Sequence, residues 1–242
     1  MSAGWPSPDW PGDRRAELEH NLAAVHARIE AACAAAGRDP AEVTLIAVTK
    51  FFPASDVDLL ADLGVRAVGE NRDQEAAAKF AEVTRRADLR VHFIGQLQSN
   101  KASSVVGYAD VVQSLDRVKL VGALDRAAGR AGRRLEVLVQ VALDEAEGRG
   151  GVVPAQAPAL ADAVAASEHL DLRGVMAVAP LGADPAPAFA RLRDVADGIR
   201  ASHPDASWIS AGMSGDLEQA VAHGATHLRV GTAILGSRQS HR

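Results

Sequence analysis

Short apolar, β-branched runs alternate along this chain with stretches of helical periodicity. The first element reads as a helix. Leu18, Leu22, Val25 and Ile29 recur at helical spacing between about Arg14 and Ala36, and Gly37 stops the pattern. Runs that predict strands then fall at residues 43–48, 67–69, 90–94, 111–113, 136–141, 172–177, 208–210 and 227–230. Helical patterns separate them at 54–63, 73–86, 99–106, 117–131, 154–167, 187–202 and 216–223. Strands that alternate with helices predict a parallel sheet, because parallel neighbours need crossover connections. Eight such units are the content of a (β/α)8 TIM barrel of the α/β class. An open doubly wound sheet would advertise a glycine-rich turn after its first strand. This chain has Lys50-Phe51-Phe52-Pro53 there, so the barrel is the expected fold.

The expected organisation is a single barrel over residues 14–242 with an extra N-terminal helix. Residues 1–13 carry three prolines and two tryptophans without periodicity and read as an irregular lead-in. The 242 residues suit one such domain, and 48% hydrophobic content is enough for a substantial core. A formal charge of −5 argues against a broad grip on nucleic acid. The one cysteine, Cys33, allows no intrachain disulfide and fits a reducing compartment. No apolar stretch is long enough to span a bilayer, and the N-terminus does not read as a signal peptide, so a cytoplasmic location is expected.

The carboxyl ends of barrel strands share one mouth, where ligands sit. Lys50 ends the first strand and can either reach into solvent or attack a carbonyl to form a Schiff base. The seventh strand leads into Ser210-Ala211-Gly212-Met213-Ser214-Gly215-Asp216, and the eighth into Arg229-Val230-Gly231-Thr232-Ala233. Both are small, glycine-containing turns ahead of a helix, a suitable place for phosphate, and Ser210, Ser214, Gly231 and Thr232 are its candidate contacts. Helix capping by Ser214 and Thr232 is the plainer alternative. Arg229 could pair with phosphate, face an aromatic ligand ring, or serve an ordinary ion pair. His92 reads as a core histidine, and Tyr108, the one tyrosine, as a packing residue. His223 and His227 share no helical face, and no metal site is expected. A strand-end lysine and a phosphate cup on one mouth fit a compact ring bearing an aldehyde and a phosphate. Pyridoxal 5′-phosphate (PLP) has that form.

Several motifs in order carry a resemblance: Ala47-Val48-Thr49-Lys50, Gly69-Glu70-Asn71, His92-Phe93-Ile94-Gly95 with Leu97-Gln98-Ser99-Asn100-Lys101, Gly212-Met213-Ser214, and Arg229-Val230-Gly231-Thr232-Ala233-Ile234. Over about residues 14–238 the chain resembles the YggS/PROSC-like pyridoxal phosphate homeostasis proteins. Their fold is that of the alanine racemase N-terminal domain, a fold type III PLP-binding barrel. The resemblance implies that Lys50 holds the cofactor as an internal aldimine, that Asn71 lies near the ring, and that Gly212 belongs to the site. It also implies that Ser210, Ser214, Gly231 and Thr232 surround the phosphate, with Arg229 facing the pyridine nitrogen. Such an arginine keeps that nitrogen unprotonated and makes the ring a poorer electron sink. Arg72, Gln96, Ala211, Ala142 and Arg149 depart from residues common in the family.

Two functions follow from the resemblance. One is a non-catalytic carrier that buffers PLP and passes it to apo-enzymes. The other is an amino-acid racemase, which needs a base on each face of the substrate α-carbon. Related racemases take their second base, a tyrosine, from an additional dimer-forming β domain, and the chain ends shortly after its eighth unit. The carrier is the expected function and a monomer the expected state.

Overall fold

The computed structural model describes residues 13–144, 150–180 and 182–237. Apart from Asp13, the expected lead-in lies outside the described residues, as does Arg149. Helix α1 (Arg14–Ala36) begins where the Asp13 carboxylate accepts from the Arg15 N–H, and it buries Leu18, Leu22, Val25, Ile29, Ala32 and Cys33.

The alternation follows as β1 (Thr44–Val48), α2 (Ala54–Asp62), β2 (Ala67–Glu70), α3 (Asp73–Glu82), β3 (Arg90–Phe93) and α4 (Ala102–Tyr108). It continues through β4 (Val111–Leu115), α5 (Val118–Arg130), β5 (Leu135–Gln140), α6 (Ala157–Ala165) and β6 (Leu170–Met176). The last elements are α7 (Ala186–Ser202), β7 (Trp208–Ser210), α8 (Leu217–Ala222), β8 (His227–Val230) and α9 (Thr232–Leu235). All eight strands pair in parallel and in order, and β8 closes on β1, forming the (β/α)8 barrel.

Strands β7 and β8 have their expected bounds, whereas β4 runs two residues further, to Leu115. The helical pattern over 73–86 breaks after Glu82. There the N–H groups of Thr84 and Arg85 donate to the Asp58 carboxylate (3.2 and 2.9 Å) instead of continuing the helix. The pattern over 99–106 opens as a 3-10 turn, Ser99–Lys101, and α9 was not expected.

Strand parity sorts the core. Ala47, Val68, Val91, Val112, Ile209 and Leu228 belong to the layer that packs against the helices. The other parity fills the barrel, where Val111, Leu138 and Met176 form a cluster with Trp208 and Val178. Helix α1 packs on α8 and α9, outside the last strands. Asn21 Nδ2 donates to the Ile234 carbonyl (2.9 Å) and Arg14 Nη2 to that of Leu235 (3.2 Å). The extra helix thereby fixes the short α9 behind the turn that follows β8.

Candidate functional site

The register of β1 on β8 sets the mouth. Ala47 pairs with Val230, so Val48 lies beside Gly231 and Lys50 is two residues further on. A Cβ on Gly231 would stand 3.3 Å from Val48 Cβ and 3.4 Å from its carbonyl oxygen, so the absence of a side chain permits this close approach. The turns after β7 and β8 meet through hydroxyls. Thr232 Oγ1 donates to Ser214 Oγ (3.1 Å), and the Ala233 N–H donates to the same oxygen (3.3 Å). The N-cap residues Asp216 and Gly231 make no side-chain cap bond, so Ser214 meets the first turn of α9 from the neighbouring turn and caps no helix of its own. Ser214 is half-buried and Thr232 exposed, so the pair borders solvent at the mouth.

Gly212 shapes the first of these turns. Its φ is +89°, and a Cβ would lie 2.6 Å from Ala220 Cβ and 2.9 Å from Leu228 Cδ2. Its carbonyl accepts the Arg229 N–H (2.9 Å), and Asp216 Oδ1 closes the turn by accepting the Met213 N–H (2.6 Å).

Arg229 and Ser210 lie inside the barrel. Arg229 Nη1 donates to Ser210 Oγ (2.6 Å), and Nη2 to the Ala177 carbonyl (2.7 Å), which follows β6. The guanidinium forms no ion pair among the described residues, and burial pushes its pKa down to about 10, so it stays charged near neutrality. Ser210 Oγ in turn donates to Gln113 Oε1 (2.7 Å), and Gln113 Nε2 donates to His92 Nδ1 (2.9 Å). His92 is 1% exposed and held neutral, because burial drives its pKa well below the usual histidine value. Four residues from four strands thus form one directed hydrogen-bond chain. It joins Ser210 to Arg229 rather than to the Ser214–Thr232 pair.

Lys50 is half-buried in the turn after β1, with Nζ 5.9 Å from the centre of the Phe51 ring. The guanidinium of Arg72 lies 5.1 Å from the same ring, so the departure at this position places a second cation at the rim. Asn71, directly after β2, is half-buried at the same end. The structure therefore brings Lys50, Asn71, Gly212, Ser214, Gly231 and Thr232 to one mouth, with Arg229 and Ser210 inside it.

The sequence reading missed Gln113, Glu75 and Lys79, and it quoted Glu70 in a motif without giving it a role. A glutamine on a strand run, two residues after the inward-facing Val111, was a usable signal for Gln113. For Glu75 and Lys79 the local hint was their spacing of four on α3, and for Glu70 its place in the Gly69-Glu70-Asn71 motif at the end of β2. The opposite end of the barrel holds a cavity of about 480 Å³ lined by Arg38, Arg66, Arg90 and Trp208. Arg38 and Arg66 there donate to backbone carbonyls, while Arg90 lies against Glu136, so these cations serve the scaffold. Tyr108 lies outside the strands, among the helices, with its hydroxyl near Asp73 at the start of α3. It is buried at the close of α4, just before β4 starts, and stacks on Phe80 at 6.1 Å.

The model of the alanine racemase N-terminal domain matches residues 16–239. The chain is 46% identical over 245 residues to the pyridoxal phosphate homeostasis protein of Mycobacterium tuberculosis, which covers 94% of this chain and 95% of that one. Among solved structures, PipY of Synechococcus elongatus with PLP bound is similar, with 37% identity and a TM-score of 0.80. The match covers 90% of this chain and all of PipY. The alanine racemase of Corynebacterium glutamicum shares the fold at 15% identity and a TM-score of 0.68, over 93% of this chain and 62% of the enzyme. With relatives of this identity matched along nearly its whole length, the chain belongs to the pyridoxal phosphate homeostasis protein family, built on the barrel of the alanine racemase N-terminal domain.

Proposed function

We propose that this protein binds pyridoxal 5′-phosphate at the mouth formed by β1, β7 and β8 and carries and buffers it in intracellular PLP homeostasis. The observation that carries this reading is the pairing of β1 with β8, which sets the Lys50 turn beside Gly231 and its neighbouring hydroxyls. When bound, the cofactor supplies an aldehyde that condenses with an amine, one C=N bond forming and one water leaving.

The residues present fit such a group. Lys50 offers the amine. Ser214 Oγ, Thr232 Oγ1 and the Ala233 N–H converge within hydrogen-bond distance, and the donors that now meet on Ser214 Oγ would suit a phosphate oxygen in its place. The glycine approach of Gly231 to Val48 leaves that side of the mouth free of side chain, and Gly212 shapes the adjoining turn. Arg229, a buried cation held by neutral acceptors, suits an unprotonated ring nitrogen, and Ser210 fixes its guanidinium. Asn71, at the same end, would border the ring.

The reading extends to a carrier without catalysis, and the placement of Tyr108 supports it. Racemisation needs a second base opposite the lysine. The one tyrosine of the chain is buried in the layer between strands and helices, stacked on Phe80 of α3, and does not face the barrel interior. In this reading the protein is a cytoplasmic monomer that yields its cofactor to apo-enzymes. Among the described residues no helix is long and apolar enough to cross a membrane.

The test begins with the visible spectrum of protein incubated with PLP. A lysine-linked absorption band that borohydride abolishes is expected in the wild type and absent from Lys50→Ala. An unchanged band in that variant overturns the attachment. Incubation of the loaded protein with each L-amino acid is expected to give no D-isomer. Turnover that disappears in Lys50→Ala would overturn the non-catalytic reading.

A further inference from the structure

Two carboxylates and an ammonium group lie beneath the turn that carries Lys50. Glu70 closes β2 with no exposed side-chain surface, and the Lys79 side chain on α3 is 5% exposed. Lys79 Nζ donates to Glu70 Oε1 (2.7 Å) and to the Thr49 carbonyl (2.8 Å). Thr49 Oγ1 donates to the same Glu70 oxygen (2.6 Å). One turn earlier on α3, Glu75 accepts the N–H of Phe51 and lies 3.8 Å from Lys79 Nζ. The carbonyl before Lys50 and the N–H after it are therefore both held by side chains of α3.

Phe51 is the one non-glycine residue with positive φ (71°) among the described residues. Such a conformation persists only where the surroundings over-determine it. The buried pair is a poor device for stability alone, since well-packed apolar residues would join β2 to α3 as firmly. Glu70 Oε2 even lacks a hydrogen-bond partner, and burial raises the pKa of this carboxyl despite Lys79. What the three groups do accomplish is to fix two consecutive peptides around one residue.

We propose that Glu70, Lys79 and Glu75 are positioning residues, a buried clamp that presents the Lys50 amine to the barrel mouth in a single orientation. The proposal rests on the reading of Lys50 as the attachment point. It goes beyond that reading by assigning the geometry of attachment to α3, a helix outside the barrel. Lys79 and Glu75 share one face of α3, four residues apart, so a single helix orientation sets both tethers.

The chain has four lysines, Lys50, Lys79, Lys101 and Lys119, so borohydride trapping with PLP can be mapped by peptide mass. The variants are Glu75→Ala, Glu75→Gln and the pair E70Q/K79M. The pair removes both buried charges together and avoids stranding one, as Lys79→Met alone would. Hydrogen exchange of the Phe51 amide in ligand-free protein is read beside PLP affinity and the site of the trapped label. In Glu75→Ala, exchange is expected to accelerate about ten- to hundredfold, the loss of one charge-assisted hydrogen bond. PLP affinity falls about tenfold, and label on Lys50 declines. Glu75→Gln keeps an acceptor oxygen and restores all three. E70Q/K79M frees the Thr49 carbonyl and weakens affinity and trapping in the same direction. Faster Phe51 exchange with wild-type affinity and wild-type trapping at Lys50 would reduce the clamp to scaffold and overturn the proposal. Label missing from Lys50 in the wild type would instead defeat the attachment itself, and the clamp with it.

Discussion

Ser210→Ala separates the two roles open to this hydroxyl, a contact to phosphate or a support for Arg229. Ser210 is fully buried, and its Oγ accepts from Arg229 Nη1 at 2.6 Å while donating to Gln113 Oε1 at 2.7 Å. Alanine keeps the methylene and removes only the oxygen. The lost bond to the guanidinium accounts for about 1.5–3 kcal/mol and the neutral bond to Gln113 for about 1 kcal/mol. With both partners left buried, a loss of roughly 3 kcal/mol is expected in the ligand-free protein, read by urea unfolding. Competition by inorganic phosphate for the cofactor site should be unchanged, because the Ser214–Thr232 donors are intact. A stability loss below about 0.5 kcal/mol would refute the network. Weaker phosphate competition at unchanged stability would put Ser210 on the ligand instead.

Gly212→Ala should destabilise the barrel without touching any chemical group. A positive φ costs alanine about 1–2 kcal/mol, and a Cβ 2.6 Å from Ala220 Cβ adds roughly 1–3 kcal/mol of overpacking. A total of about 2–5 kcal/mol by urea unfolding is expected, and a loss under about 1 kcal/mol would show that the turn yields freely. Acid should weaken the fold through the buried histidines. Burial, with Arg90, Arg173 and Arg229 nearby, brings the pKa of His227 down to about 4 from 6.5. Between those values the unfolded chain binds a proton that the folded chain refuses, so stability falls as pH falls through that window. From about pH 7 to about pH 5 this one group contributes a loss of about 2 kcal/mol, and His92 acts in the same direction. His227→Gln should flatten the slope of unfolding free energy against pH by that amount, and an unchanged slope would contradict the assignment.

The fold was legible because closing a parallel barrel demands a period the sequence displays openly: a short apolar run eight times, with a helical pattern between each run and the next. Trp208–Ser210 and His227–Val230 were readable to the residue, since polar or glycine-containing segments bound each of them. Parts of the mouth were legible for a similar reason. A lysine after the first strand and glycine turns after the last two each have ordinary uses when taken singly, but strand order carries β8 back to β1 and sets them side by side. What stayed hidden was polar chemistry that exists only after closure. His92, Gln113, Ser210 and Arg229 come from β3, β4, β7 and β8, and no local pattern links them.

Parity nevertheless places them. Ser210 shares the parity of Trp208, which lies with the interior cluster, while Ile209 packs toward the helices. In the same way Arg229 alternates with Leu228 and Val230, both in the helix-facing layer. A serine and an arginine of inward parity on adjacent strands must satisfy each other or another buried group, because burying either alone is costly. The Ser214 and Thr232 hydroxyls, proposed to meet the phosphate, obey no such constraint, for they lie past the strand ends, where the chain can turn them to the mouth. That distinction divides the two glycine turns into inner residues that hold Arg229 and outer residues that can meet an anion.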